Sequence, residues 1–350
     1  MVLTTTPTAA RRAPDRDARR GRTVGVLLLA GGAVVLLSLA SLAVGARSVP
    51  TATVLEALTH YDPTSTDQLV VVTSRIPRTI LGLLVGAALA LAGCAMQGVT
   101  RNPLADPGIL GVNGGAALAI VVGISVFGVA DASGYVWFAF LGAGVASVVV
   151  YAVAALGREG ATPVKLALAG AAATAFFGAI TTALLLRDRQ AFDQFRFWQV
   201  GSLNGRDLGI TTQVLPFLVV GGLLALGLGR GLNTIALGDD VARGLGARVG
   251  LLRLATAVAV VLLCGAATAA AGPVGFVGLT IPHVARALVG TDYRRILPVS
   301  MLLGPILLLA ADVLGRVIAR PGEVQVAIVT AALGAPVFVL LVRRHRLAGL

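Results

Sequence analysis

"RLATAVAVVLLCGAATAAAGPVGFVGLTIPHVAR" (residues 253–286) holds 32 successive residues between its terminal arginines without an acid, a lysine or another arginine. One helix crossing a hydrocarbon core of about 30 Å needs about 20 residues. The run is too long for one crossing. At its centre stands AGPVG, where Gly272 and Pro273 can end one helix and begin another. Reading one span or two here decides whether the chain ends lie on opposite sides of a membrane or on the same side.

Working outward, eight further apolar gaps separate charged residues. They are bounded by Arg22 and Arg47, Arg78 and Arg101, Asp106 and Asp131, Asp131 and Arg158, Lys165 and Arg187, Asp207 and Arg230, Arg295 and Asp312, and Glu323 and Arg343. Their lengths, 16 to 26 residues, each suit one crossing. With the central run split, ten spans are expected. Both tails are basic, RRAPDRDARRGR at 11–22 and RRHR at 343–346. Ten spans place both in the cytoplasm, as the positive-inside tendency asks; nine would expose one. Nine of the 28 basic residues then fall outside and 19 inside, which supports the orientation. The division expected is a basic cytoplasmic tail over 1–22, one ten-span membrane domain over 23–343, and a cytoplasmic tail over 344–350. The first apolar run could instead be a signal-peptide core, but its length favours an uncleaved span.

Composition excludes other classes. With 57% hydrophobic residues, 13% charged and a mean hydropathy of +0.90, the chain reads as an all-α polytopic membrane protein. The net charge of +12 is spread between apolar runs instead of forming a patch, so no nucleic-acid partner is expected. Cys94 and Cys264 sit inside apolar runs without CxxC or histidine neighbours, so neither a metal site nor a disulfide framework is indicated. The only lysine, Lys165, follows Val164, so there is no P-loop. HExxH, GxSxG and paired carboxylates are also missing, and no catalytic residue is expected. Ionisable groups within spans are nearly confined to Asp312, read with Arg316 as a local i,i+4 pair, and His283 is read as a packing residue. A secondary transporter usually carries coupling carboxylates near the midplane, so any transport here should draw energy from a partner.

Three segments are not spans. VPTATVLEALTHYD suggests an interfacial helix on the outer side, and FRFWQVGSL suggests a short boundary helix with Trp198 at headgroup level. GDDVARGLG lies on the cytoplasmic side between two spans. It reads as a short helix with Asp239 and Asp240 capping its start, Arg243 four residues after Asp239, and Gly246 ending it. Val241, Ala242 and Leu245 are expected to share a face that packs on the bundle or enters another protein's groove.

Several motifs, in order, resemble the transmembrane permease of iron-siderophore and vitamin B12 ABC importers, the type II, FecCD-like class. They are RIPR (75–78), RNPLADPGILG (101–111), FWQVGSL (197–203), LGDDVARGLG (237–246) and GPVGFVGLTIPHVAR (272–286), followed by ADVLGR, PGEV and TAALGAPVF. The resemblance covers roughly residues 24–343. It implies a multi-pass plasma-membrane permease paired with a second permease, either a copy or a paralogue. It also implies two ATPase subunits that hold ATP and magnesium, an extracytoplasmic binding protein, and no cofactor on this chain. Residues Gly238, Asp239, Asp240, Val241, Ala242, Arg243, Leu245 and Gly246 match the family's coupling helix. Arg75, Arg78 and Arg316 match its arginines for binding-protein docking. Asn102 and Leu104, with Thr162, match its cytoplasmic gate. NP and DP break helical continuity in any case, so an irregular turn is expected there. PGEVQV lacks the second proline of the family's PxExP, which leaves the start of the last span open. The cargo implied is a ferric siderophore, with haem or a cobalamin as alternatives, and the path is expected to be lined by the second and fifth spans. A stand-alone secondary transporter and a non-transporting scaffold are the rival classes.

Overall fold

The computed structural model describes residues 16–45, 47–129, 131–156 and 162–347, so residues 1–15 and 348–350 of the expected tails lie outside it. The chain runs through α1 (Arg16–Ala43), α2 (Thr51–Thr59) and α3 (Thr66–Val70), then a π-helical turn (Val71–Arg75) that leads directly into α4 (Ile76–Thr100). A 3₁₀ turn (Pro107–Leu110) precedes α5 (Val112–Phe127), α6 (Ala132–Ala155), α7 (Pro163–Arg187) and α8 (Arg189–Gln199). Then come α9 (Leu208–Gly227), α10 (Gly229–Ala236), α11 (Asp239–Gly244), α12 (Val249–Ala271), α13 (Val277–Val289), α14 (Tyr293–Ile318) and α15 (Val326–Leu347). No strand occurs among the described residues.

The AGPVG break falls where the sequence puts it. Gly272 takes φ +77 and ends α12, while Phe276, at φ +67, precedes α13. A Cβ on Gly272 would lie 2.3 Å from the Trp198 carbonyl oxygen, so glycine is needed for conformation and for space. Among the described residues, seven helical stretches, in α1, α3–α4, α6, α7, α9, α12 and α14, are long and apolar enough to cross a membrane. Three shorter apolar helices, α5, α13 and α15, accompany them.

The axis of the bundle is α4, packed by α14, α12, α13 and α9. Its apolar window is 78% buried, against 11% for that of α7. Small residues make this possible. A Cβ on Gly93 would lie 2.0 Å from the Gly278 carbonyl oxygen, and one on Gly304 would lie 2.1 Å from that of Gly86. In hydrocarbon, helices gain little from burying apolar surface against each other, and close backbone approach supplies the packing energy instead.

Some long-range polar contacts join helix interiors, as where Gln97 Nε2 donates to Leu279 O (3.2 Å) and Thr268 Oγ1 to Asn113 Oδ1 (3.1 Å). Others lie at two ends of the bundle, called inner and outer here after the expected orientation. At the inner end Arg22 donates to Ala287 O (3.3 Å), Asn233 Nδ2 donates to Asp292 (2.6 Å), and Arg286 donates to Gln97. At the outer end Ser202 N donates to Ala271 O (2.8 Å), and Ala327 N to Gly201 O (3.3 Å). Tyr135 donates there to Gln194 (2.7 Å).

Trp198 does not face outward: it is 2% exposed and its ring lies 5.7 Å from that of Phe195, because α8 turns these two aromatic side chains into the bundle. The second long apolar segment, α4, is mostly buried in the core of the chain, with Leu84 and Ala87 among its partly exposed residues.

Candidate functional site

At the inner end, α11 hangs between two bends. Gly238 (φ +101) and Gly246 (φ +81) both occupy backbone regions that side chains disfavour. No side chain caps the helix start, contrary to expectation. The Asp239 carboxylate is turned sideways instead, to Arg253 at 2.8 Å, Arg101 at 3.4 Å and Arg243 at 3.9 Å. The Asp240 side chain is fully exposed and meets only Arg243, at 3.1 Å, among the described ion pairs. The expected shared face also divides. Ala242 is fully buried against the bundle, whereas Val241 and Leu245 are 52% and 67% exposed. Residues four apart stack on one side of a helix, so Val241 and Leu245 form one apolar ridge pointing away from the chain. Leu237, just before the Gly238 bend, is exposed as well.

The neighbouring loop begins at Arg101, which ends α4 in the left-handed region at φ +50. Asn102 Oδ1 accepts from Leu104 N (2.9 Å), and Asn102 O accepts from Ala105 N (3.1 Å), so these residues form one tight Asx turn with Leu104 exposed. His283 Nε2 donates to Pro103 O (2.9 Å), tying the turn to α13. Asp106 caps the following 3₁₀ turn through Gly108 N, and burial raises its carboxyl above the ordinary value. Thr162 Oγ1 accepts from Lys165 N (3.4 Å) as the cap of α7, and α7 packs on the turn Pro107–Leu110. Beside α10, Asp292 caps α14. Hydrogen bonds from Arg294, then from Asn233, hold its carboxyl down to about 2.

The outer end encloses the arginines that match the family's docking residues. Arg75, Arg78 and Arg316 are 4%, 6% and 1% exposed. Arg75 donates to Leu42 O, Ala43 O and Arg47 O at 2.7–2.8 Å. Arg78 pairs with Asp312 and with Glu323, both at 2.7 Å. Arg316 pairs with Asp312 and donates to Ser41 O (2.8 Å) and Val44 O (2.9 Å). A guanidinium left bare in so apolar a setting would be costly, so the fold gives each one internal partners, with Arg316 Nε the one nitrogen of the three guanidinium groups that is buried without an acceptor. In this conformation none is offered to a docking partner. The presumed local pair of Asp312 and Arg316 is the hub of a network joining α1, α4, α14 and the lead-in to α15.

A cavity of about 490 Å³ opens in the outer half between α5, α7, α8 and Pro273. Asn113, Thr181, Gln199, Phe192 and Trp198 stand in its wall, and no charged side chain does. Sequence reading missed Arg101 and Arg253 as partners of Asp239, and Glu323 and Ser41 as partners of the buried arginines. Arg101 opens a motif that had been noticed; Arg253 gave no signal, because its meeting with α11 depends on the bend at Gly246.

Comparison with known proteins accords with this geometry. Residues 33–344 match the FecCD transport family. The ferric enterobactin transport system permease protein FepD of Escherichia coli (strain K12) is 47% identical over 325 residues, 93% of this chain and 96% of that protein. The probable siderophore transport system permease protein YfiZ of Bacillus subtilis (strain 168) is 44% identical, covering 83% and 87% of the two chains. A solved structure described as an inward-facing conformation of a metal-chelate type ABC transporter superposes with a TM-score of 0.79 at 27% identity, over 92% of this chain and 99% of that one. An all-helical bundle with an apolar ridge at one end, an uncharged cavity at the other and these relatives is a membrane permease: the chain belongs to the FecCD transport family.

Proposed function

We propose that this chain is the permease subunit of an ABC importer that passes a ferric siderophore into the cytoplasm. The chain crosses the plasma membrane ten times, by seven long and three shorter apolar helices, with both termini inside. Contacts such as Arg22 to Ala287 O and Asn233 to Asp292 at one end, and Ser202 N to Ala271 O and Ala327 N to Gly201 O at the other, support this topology, because each joins segments that ten crossings would put on one side. A second permease, a copy or a paralogue, packs beside it. Two ATPase subunits carry ATP and magnesium at the inner end, and an extracytoplasmic binding protein delivers cargo at the outer end.

The observation that carries this reading is the Val241–Leu245 ridge on α11, exposed between two glycine bends at the inner end. Its own bundle covers only Ala242, so the ridge fits a groove on another protein. Residues 238–246 are the coupling helix, and the turn of Asn102 and Leu104, with Thr162 at the head of α7, is the cytoplasmic gate. The buried arginines brace the platform on which the binding protein sits, leaving the exposed outer loops to touch it. The wall of the outer cavity offers aromatic rings, hydroxyls and amides but no charge. It can slide past a bulky chelate without holding it, and the metal travels as cargo inside its ligand.

The test is uptake of radiolabelled ferric siderophore into proteoliposomes that hold the chain with its ATPase and binding protein. ATP-dependent uptake is expected. Uptake by the chain alone without ATP would instead establish a secondary transporter. Uptake of haem or a cobalamin in place of ferric chelates would reassign the cargo.

A further inference from the structure

Asp239 does more than its place in a short exposed helix requires. Its carboxylate reaches out of α11 to two other elements, Arg253 Nη2 in α12 at 2.8 Å and Arg101 Nη2 at the end of α4 at 3.4 Å. Asp240, the next residue, points to solvent and pairs only within α11, at 3.1 Å to Arg243, among the described ion pairs. The helix has little else to fix it. Only Ala242 of α11 is buried, and the backbone bends at Gly238 and Gly246 on either side. A Cβ on Gly238 would come within 3.6 Å of Arg101 Nη1, so the first bend lies directly against the same arginine.

Arg101 is the residue from which the Asn102–Leu104 turn hangs. The far side of that turn is tied by His283 on α13, through Pro103 O at 2.9 Å. The turn is therefore held between one movable element, α11, and one element packed on the core, α13. The Asp239–Arg101 pair is the described ion pair that joins α11 to it.

We propose that Asp239 is a positioning residue that transmits displacement of α11 to the Asn102–Leu104 turn through Arg101, with Arg253 as the pivot on α12. The proposal rests on the importer reading, since it needs an ATPase to move α11. A shift of α11 by about an ångström either drags Arg101 along or breaks a pair already at 3.4 Å. Pulling Arg101 rotates the left-handed end of α4, and with it the turn that carries Leu104.

The experiment uses the assembled permease–ATPase complex carrying Leu104→Cys as a reporter; both native cysteines are buried. The rate of thiol labelling at position 104 is compared without nucleotide and with ATP plus vanadate. The parent is expected to show a nucleotide-dependent change. Asp239→Asn and Arg101→Gln should each reduce that change at least fivefold, the double variant should lose no more than either single, and Asp239→Glu should restore most of it. Non-additivity identifies one joint, as opposed to two independent injuries. A full response in either single variant, additive losses, or an Asp239→Asn chain that no longer holds the ATPase would overturn the proposal. A parent that binds the ATPase yet shows no nucleotide response would overturn the importer reading itself, and the proposal with it.

Discussion

Replacing Asp312 with asparagine separates a structural role for the outer arginines from a docking role. Asp312 is 1% exposed and accepts from Arg78 Nε (3.1 Å) and Nη2 (2.7 Å), and from Arg316. Asparagine keeps the shape and removes the charge. Arg78 retains Glu323 at 2.7 Å, but Arg316 is left with the neutral oxygens of Ser41 and Val44. Removing one partner of a buried ion pair costs about 3–5 kcal/mol. Because Glu323 still offsets one arginine, the lower figure applies, about 3 kcal/mol, or roughly a hundredfold in the folded-to-unfolded ratio. The assay is reversible unfolding by steric trapping in bicelles, applied to Asp312→Asn, Arg316→Met and their combination. The double variant should be less damaged than the sum of the singles, because deleting Arg316 removes the charge that Asp312→Asn strands. A loss within about 0.5 kcal/mol for Asp312→Asn, the size of a surface substitution, would refute the reasoning. It would mean that water reaches these guanidinium groups and that a partner protein can too.

The remaining expectations concern packing, a cap and the inner ridge. Gly93→Ala puts a methyl 2.0 Å from the Gly278 carbonyl oxygen and should destabilise by about 1–3 kcal/mol, whereas Gly144→Ala, with nothing within 4 Å, should be neutral or slightly stabilising; thermal unfolding in detergent compares them. Asp292→Asn should cost about 1 kcal/mol at neutral pH through loss of the charge that Arg294 and Asn233 stabilise, since asparagine can still cap α14 and the site is partly exposed. Its folded value, near 2, lies below its unfolded value, so its contribution is complete above about 4 and disappears as pH falls through about 2. The gap between parent and variant melting temperatures should therefore close over that interval. The double substitution Val241→Ser with Leu245→Ser should weaken ATPase co-purification at least tenfold, since each apolar side chain covered by a partner contributes about 1.5–3 kcal/mol; the melting temperature of the isolated permease should not move.

Spacing made much of the fold legible. The Gly272-Pro273 break, the helix at 51–59 and the short piece at 239–244 all follow from where apolar runs meet glycine, proline and charge, which are local signals. Burial inside the bundle was not legible. The apolar run in α4 and that in α7 look alike in sequence, yet one is the core and the other is nearly bare. Hydrocarbon outside and protein inside are equally apolar, so hydropathy cannot tell the two faces apart; only small residues facing small residues can, as at Gly93 and Gly278. The same blindness hid the burial of Arg75, Arg78 and Arg316. Their end of the bundle could be read from the charge pattern, but the burial of Arg78 depends on Asp312 and Glu323, more than 200 positions away, and that of Arg75 on carbonyls at the end of α1 and beyond it.

The two ends of the bundle are built for opposite purposes, and the difference is electrostatic as well as steric. At the outer end, two arginines and two acids of nearly matched charge are taken out of water together and tie α1, α4, α14 and the lead-in to α15. A buried network of this kind has one good geometry, because moving any member strands a charge. At the inner end the corresponding pairs on Asp239 are partly exposed, at 43% for Arg101 and 26% for Arg253. Water can replace each bond there, so the pairs can break and re-form at little cost. Glycine bends on both sides of α11 remove the steric barrier as well. Motion imposed from the inner end therefore meets weak, exchangeable contacts first and a rigid brace last. A helix pushed at 239–244 should displace the neighbouring turn and the start of α12 before it disturbs the outer platform.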